Sequence, residues 1–428
     1  MNRKQRRELK KDKDLIKELY SIILKYLPEL LNMFENLTDI RNKSYVTYKM
    51  KTICVTRLFG LLCGLTTMTD ISSNIFNTND CIKNLSKICK QDLEEIPYWE
   101  TIQDVFINIK TDELRNIQKY IVKTLMRSKM FDKYRFNGCF QLLFDGTGLS
   151  NHNYNLNDNC LIRKHKDGKI SYYKYVLECK LVVGNLVISL DSEFIENEKM
   201  ITDKQKQDCE TNAFKRMVKR IKTNYPKYKF IITGDALYAT TPIIEICRRY
   251  QWNYIFNLKP ERLKEINESF EDNINYQNET THQNYYLSTD INYKGVTLSA
   301  FKYIETKSKK TTTFRYISDL EIKDSNIKEI VSMGRKRWKI ENEGFYAQKH
   351  RTFNISHLNS RNDTAMKNHY FFIQFAHTIR QLLEQGSLLT KSLKLKIKEV
   401  SQMLLTILTS KTTDLNNLEN KFQLRFDD

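Results

Sequence analysis

Phe140-Gln141-Leu142-Leu143-Phe144-Asp145-Gly146-Thr147-Gly148 is a short apolar run that stops at an acid and two glycines. The run suits one buried strand and is too short for a helix. Asp, Gly and Thr are turn-forming types, so the strand is expected to empty into a tight turn at Asp145. A second run of the same texture, Phe230-Ile231-Ile232-Thr233-Gly234, also ends at an aspartate, Asp235. Between the two lie β-rich runs at 172–183 and 186–194, separated by Gly184-Asn185, a dipeptide suited to a hairpin. A helix follows from about 204 to 222, with Cys209, Ala213, Phe214, Met217, Val218 and Ile221 on its inward face. After Asp235, a helix at about 242–250 leads to a strand at 254–258.

The order strand, strand, strand, helix, strand, helix, strand resembles the plan of a ribonuclease H-like mixed sheet. In that plan the first and fourth strands lie side by side, which would turn Asp145 and Asp235 into one crevice. The expected class is therefore α/β: a ribonuclease H-like mixed sheet flanked by helices, with an all-helical N-terminal region and a β-rich insertion. Upstream, Leu15, Leu19, Ile22, Ile23, Tyr26 and Leu30 recur at helical spacing, and Pro28 should kink or divide that helix. Further amphipathic pieces fall at about 55–65, 82–88 and 114–126. Downstream, 284–287, 297–303 and 312–317 read as β segments, and helical texture resumes at Ile327, continuing through 369–383 and 393–408. Five parts follow: 1–135, a helical region for DNA binding or dimerisation; 136–259, the first part of a catalytic core; 260–326, the insertion; 327–385, the rest of the core; and 386–428, a helical tail.

Lysine and arginine number 70 against 51 acids, a formal net charge of +19. Such a field gathers polyanions, so nucleic acid is the first partner to consider; an AT-rich coding sequence, which favours lysine, would leave the same bias. Nine cysteines contain no C-x-x-C pair, which argues against a zinc ribbon or a disulfide framework. The basic start, Arg3 to Lys13, lacks the apolar core of a secretion signal, and no stretch reaches the roughly 20 apolar residues of a membrane span. A cytoplasmic, nucleoid-associated protein is expected. The G-x-x-x-x-G-K-[ST] phosphate loop is absent and no nucleotide cofactor is expected.

Asp145, Asp235 and Glu341, the last within Arg337-Trp338-Lys339-Ile340-Glu341, form a set of hard oxygen donors of the kind Mg²⁺ takes. Each has an ordinary alternative: Asp145 as a turn residue, Asp235 as a helix cap, Glu341 as a solvated helix residue. Glu343 is the rival to Glu341, about 200° around an α-helix, so only one of them can face a crevice. Arg337, one turn before Glu341, can fork onto a phosphate or simply pair with Glu341. Trp338 is expected to anchor the core rather than stack on a base, and His152 to lie in a loop. Lys215, Arg216 and Lys219 can track a DNA backbone or form a solvated face.

Phe144-Asp145-Gly146-Thr147-Gly148, Thr233-Gly234-Asp235-Ala236-Leu237-Tyr238-Ala239 and Arg337-Trp338-Lys339-Ile340-Glu341 resemble the three acidic motifs of DDE transposases from bacterial insertion sequences, in the group with a β-strand insertion before the glutamate. The resemblance spans about 140–350. It implies an enzyme that cuts DNA at the ends of its element and joins them to target DNA, with two Mg²⁺ ions, or Mn²⁺ in their place, on Asp145, Asp235 and Glu341. It also implies a double-stranded DNA partner and a homodimer that brings two ends together. In the family pattern a tyrosine precedes the arginine by three residues and a lysine follows the glutamate by seven. Here Gly334 and Gln348 stand at those places, with Lys349 one residue later as the candidate for phosphate positioning. Another ribonuclease H-like nuclease and an inactive basic DNA-binding protein are the alternative readings.

Overall fold

A computed structural model describes residues 14–198, 207–274, 276–280, 282–307, 310–416, 418 and 423–426. Its N-terminal region is helical: α1 (Leu15–Tyr26), α2 (Leu30–Glu35), α3 (Met50–Leu62), α4 (Met68–Ile71), α5 (Asn79–Cys89), α6 (Trp99–Asn108) and α7 (Thr111–Arg127). Pro28 falls in the break between α1 and α2, as its fixed φ and missing N–H require. Asp14 caps α1, accepting from the backbone N–H of Ile16 and Lys17. Among the described residues no helix is long and apolar enough to cross a membrane.

The strands are β1 (Phe140–His152), β2 (Leu161–Lys164), β3 (Ile170–Val183), β4 (Leu186–Ile195), β5 (Phe230–Gly234), β6 (Asn253–Asn257), β7 (Tyr276–Glu279), β8 (Gln283–Tyr293), β9 (Val296–Lys307) and β10 (Lys310–Ser318). They form one sheet in the order β2-β3-β1-β5-β6-β10-β9-β8-β7, with β4 also on β3. β2 pairs with Ile170–Tyr173 and β4 with Tyr175–Val183, so the two share the outer edge of β3. β1 and β5 run parallel in the register Leu143↔Thr233, and β6 is parallel to β5. β5 is buried along its whole length, as its unbroken apolar run requires of a parallel strand covered on both faces. The insertion is not a separate layer: β10 pairs antiparallel with β6, and β9, β8 and β7 extend the same sheet outward.

Three expectations change here. The Asp145–Gly148 segment is not a turn; β1 runs on to His152 because β3 supplies partners as far as Tyr172, and His152 ends a strand instead of lying in a loop. Cys209 does not face inward: it is the exposed residue before α8 (Glu210–Asn224), while Ala213, Phe214, Met217, Val218 and Ile221 are buried as expected. The expected helix start at Lys204 lies outside the described residues. α9 (Thr241–Tyr250) then joins β5 to β6, and α10 (Lys264–Asp272) precedes β7.

After the sheet come α11 (Ile327–Arg335), a π-helix over Ile340–Arg351, α12 (Asp363–Gln381) with a π-type extension over Leu382–Gly386, α13 (Leu388–Leu393) and α14 (Ile397–Ser410). α12 is buried almost all round, the mark of a helix inside a core. Its polar side chains are satisfied by packing partners. Asn368 donates to the carbonyls of Phe106 and Ile109, and Arg380 donates to Leu62 O, Ser401 Oγ and Ile397 O while pairing with Glu384. Asn84 on α5 likewise donates to the Leu408 and Lys411 carbonyls, so the N-terminal helices, α12 and α14 close on one another.

Between α12 and the sheet lies a wholly buried ion pair, Lys180 Nζ to Glu178 Oε2 at 2.8 Å. Glu178 also accepts from Ser189, Ser192 and Tyr370, and Lys180 donates to Gln374 at 2.7 Å. Removing one partner strands the other charge in the core, which typically costs about 3–5 kcal/mol. Lys180→Ala is therefore expected to lower the thermal midpoint by the equivalent of that amount, and Glu178→Gln in the same chain, which removes the stranded charge but keeps an acceptor for the hydroxyls, to restore part of it, as read by calorimetry.

Candidate active site

Side chains alternate across β1. Leu143 packs with Val182, Ile340 and Phe345 beneath the π-helix, whereas Phe144 packs edge-on to Phe214 of α8 with ring centroids 4.9 Å apart. Alternation thus aims Asp145 at the π-helix face and Gly146 at the α8 face. Asp145 lies two residues beyond the last β1–β5 pair, and Asp235 follows directly on β5. Asp145 therefore stands within β1 just past the part that pairs with β5, and Asp235 at the carboxyl end of β5, the side on which open α/β sheets form their crevices. Asp235 does not cap α9. Its Oδ1 accepts from Leu237 N at 2.8 Å in a local turn, and Thr240 occupies the cap position.

The glutamate arrives from the π-helix. Arg337 Nη1 lies 2.6 Å from Glu341 Oε1 and 3.8 Å from Asp145 Oδ2, so one guanidinium faces both acids. The pairing with Glu341 weighed from helical spacing is present, with Asp145 as a second partner. Glu343 is turned away: it lines a cleft with Arg351, His377, Arg380 and Glu384. Trp338 does not anchor the core. It is 50% exposed, and Arg337 takes the buried position, its Cζ 4.9 Å from the Trp338 ring. Lys349 is close enough to Asp145 to feel its charge, although burial pulls the lysine pKa down. Of the cations expected on α8, Lys215 and Lys219 are exposed, while Arg216 is held by Glu193 and Asp208.

The two departures from the family spacing have physical explanations. Gly334 lies against Tyr316 of β10; a Cβ there would stand 2.7 Å from the Tyr316 ring, so a tyrosine does not fit. Gln348 is fully buried and donates to Gln374 Oε1 at 2.8 Å, with His377 Nδ1 at 3.0 Å. At about 4.4 residues per π-helical turn, Lys349 sits within about 45° of the direction that seven α-helical residues would give; in an α-helix it would miss by about 100°.

Sequence reading gave no role to Glu210, Tyr175 or Tyr238, which lie beside the acids, although Tyr238 falls within the second motif. Glu210 opens α8, and an acid in a first helical turn is ordinarily a response to the helix dipole, so nothing in the sequence separates it from that role. Burial first, then Glu210 and Glu341, push the Asp145 carboxyl up to about 7, against the opposing pull of Arg337. Burial likewise raises Glu210, with the Tyr238 hydroxyl opposing and Asp235 adding to the rise. Tyr175 is raised by burial and by Glu210 and Asp145.

Among the described residues no three His, Cys, Asp or Glu side chains are close enough, as they stand, to hold a metal ion. The donors nevertheless fit a hard divalent cation, since Asp145, Asp235 and Glu341 offer carboxylate oxygens.

A mixed sheet with one acid where two parallel strands part and another at the end of the second, faced by a glutamate from a later helix, is a ribonuclease H-like transposase fold. Residues 143–379, more than half of the 428, match the family model described as Transposase DDE domain, and residues 31–120 match the one described as DDE_Tnp_1-associated. The chain belongs to the DDE transposase family, whose members act on DNA and generally use divalent metal ions. Comparison with curated proteins gives no match.

The raised Asp145 has a signed consequence. Folded, the carboxyl keeps its proton to about pH 7; its ordinary value is 3.8. Between those values the folded state binds more protons than the unfolded chain, so stability falls as pH rises through this window. The whole effect is at most about 4 kcal/mol. In chelator, Asp145→Asn is expected to be more stable than the parent at pH 8 and to converge with it below about pH 4. Equal urea midpoints at pH 8 would contradict the charge assignment.

Proposed function

We propose that this transposase cuts DNA at the ends of its insertion sequence and joins the freed ends to target DNA, with Asp145, Asp235 and Glu341 as catalytic, metal-ligating residues. The observation that carries this reading is the single Arg337 guanidinium facing both Asp145 and Glu341, beside the strand end that bears Asp235. Two Mg²⁺ ions, or Mn²⁺ in their place, would supply nucleophile activation and charge neutralisation at the attacking and leaving oxygens. The chain's own residues do the rest. Asp145 and Asp235 present oxygens from a rigid sheet, and Glu341 presents its oxygens from a helix packed on Leu143 through Ile340 and Phe345. Arg337 forks onto a non-bridging oxygen of the scissile phosphate, a planar cation being suited to that contact.

Lys349 positions a neighbouring phosphate from the π-helix, and Lys215, Lys219 and Arg216 follow the backbone of the duplex along α8. The parts of the chain divide the work as 1–135 for DNA binding or pairing of subunits, 136–259 and 327–385 for the catalytic core, 260–326 as the insertion and 386–428 as a helical tail. A homodimer holding two transposon ends is the working form, acting in the cytoplasm on nucleoid DNA. Neither a covalent protein intermediate nor a nucleotide cofactor is needed.

With Mg²⁺ and a duplex carrying the element's terminal repeats, the purified chain is expected to yield both end cleavage and strand-transfer products on sequencing gels. Asp145→Ala, Asp235→Ala and Glu341→Ala should each lower cleavage at least a thousandfold while leaving DNA binding within about threefold. A Glu341→Ala protein that still cuts would move the third role to another acid. Arg337→Ala should lower cleavage about a hundredfold, the scale on which loss of one preorganised charge stabiliser is felt, with Arg337→Lys recovering only part because a lysine cannot fork.

A further inference from the structure

Glu210 is an acid that none of the three motifs contains, yet it reaches the same crevice. The Tyr238 hydroxyl donates to its Oε1 at 2.5 Å. Its Oε2 lies 2.8 Å from the point a Cβ on Gly146 would occupy, and Tyr175 Cε1 lies 2.4 Å from that point. The absence of a side chain at 146 is what allows Glu210 and Tyr175 to close against β1 next to Asp145. Two acids from separate elements thereby flank Asp145: Glu341 through Arg337 on the π-helix face, and Glu210 across Gly146 on the α8 face. Neighbouring acids on this side of the sheet are neutralised, Asp191 by Arg220 and Glu193 by Arg216 and Arg220. Among the described residues no lysine or arginine pairs with Glu210; Tyr238 holds one oxygen, and the other lies against Gly146, the residue after Asp145.

We propose that Glu210 is a fourth catalytic carboxylate, which together with Asp145 and Asp235 holds one of the two divalent ions while Asp145 and Glu341 hold the other. This rests on the assignment of Asp145, Asp235 and Glu341 in the proposed function. A purely structural glutamate that accepts from Tyr238 needs one oxygen and no charge, and a glutamine would serve equally. A carboxyl held in the crevice with no cation partner is instead the kind of local conflict that sequences tolerate where function requires it. Glu210 also explains why Asp145 sits at a strand position followed by glycine: any larger residue at 146 would shut the α8 face off from the site.

The test measures Mn²⁺ binding to the full chain without DNA, from the electron paramagnetic resonance signal of the free ion, for the parent, Glu210→Gln, Tyr238→Phe and Asp145→Asn. Glu210→Gln is expected to weaken one class of Mn²⁺ site at least tenfold, to melt at a higher temperature than the parent in chelator, and to cut DNA at least a hundredfold more slowly. Tyr238→Phe should bind Mn²⁺ within about threefold of the parent. If Glu210→Gln binds Mn²⁺ like the parent while Asp145→Asn does not, Glu210 serves only Tyr238 and the inference fails alone. If Asp145→Asn also binds like the parent, the metal assignment of the proposed function fails and takes this inference with it. Fe²⁺-directed oxidative scission of the unmodified chain gives a reading that depends on no variant: cuts near 210 as well as near 145 and 235 support the fourth carboxylate, and cuts near 145 and 235 without one near 210 overturn it.

Discussion

The approach of Glu341 to Asp145 depends on a chain of buried polar contacts that fixes the π-helix on the sheet. Glu178 and Lys180 pair within β3, Lys180 donates to Gln374 of α12, and the same Gln374 oxygen accepts from Gln348 of the π-helix. Each of these groups is out of water, so each must keep its partner or suffer its full desolvation cost. That requirement leaves little freedom in the rotation or translation of the π-helix. Glu341 is set near Asp145, with Arg337 just before the π-helix bridging the two, by contacts made on the other side of the helix that carries Glu341.

This anchoring gives the wide helix a physical reason. A buried amide at 348 faces α12, and Lys349 follows it on the side where Asp145 is felt. An α-helix places neighbours about 100° apart and would carry Lys349 away from the direction the spacing demands; a slightly wider turn reduces that error. Functional helices often absorb an extra residue in this manner. Gly334 belongs to the same economy of space, since the Tyr316 ring of the inserted strand β10 occupies the volume a side chain there would need. The insertion therefore does more than lengthen the sheet: it also supports the helix that leads into Arg337.

Charge is distributed with the opposite logic around the crevice. Elsewhere the buried acids are matched, as Glu178 is by Lys180 and Asp191 by Arg220. At the crevice, Asp145 and Glu341 instead share one cation, the Arg337 guanidinium. The rest of the molecule supports that local cost. Arg380 ties α3, α12 and α14 together through Leu62, Ser401 and Ile397, so the N-terminal helices and the C-terminal helix brace the face of the core that carries the π-helix.

The sequence alone determined the strand–helix order and the helical N-terminal region, because apolar periodicity and punctuation by Pro28 and Gly184-Asn185 are local properties of the chain. The parallel neighbours β1 and β5 are expected from the resemblance to a known sheet plan, and the three acids are singled out by the short motifs that hold them. What it could not determine is whatever depends on partners distant along the chain. Asp145-Gly146-Thr147-Gly148 has turn composition, and only pairing with β3 makes it strand. Trp338 is apolar enough for a core, but the neighbouring arginine is drawn inward by two acids and leaves the ring outside. Glu210 looks like any first-turn acid until the bare backbone at Gly146 lets it approach Asp145. In each case the deciding energy comes from a contact between residues far apart in sequence, and no local pattern of residue types carries that information.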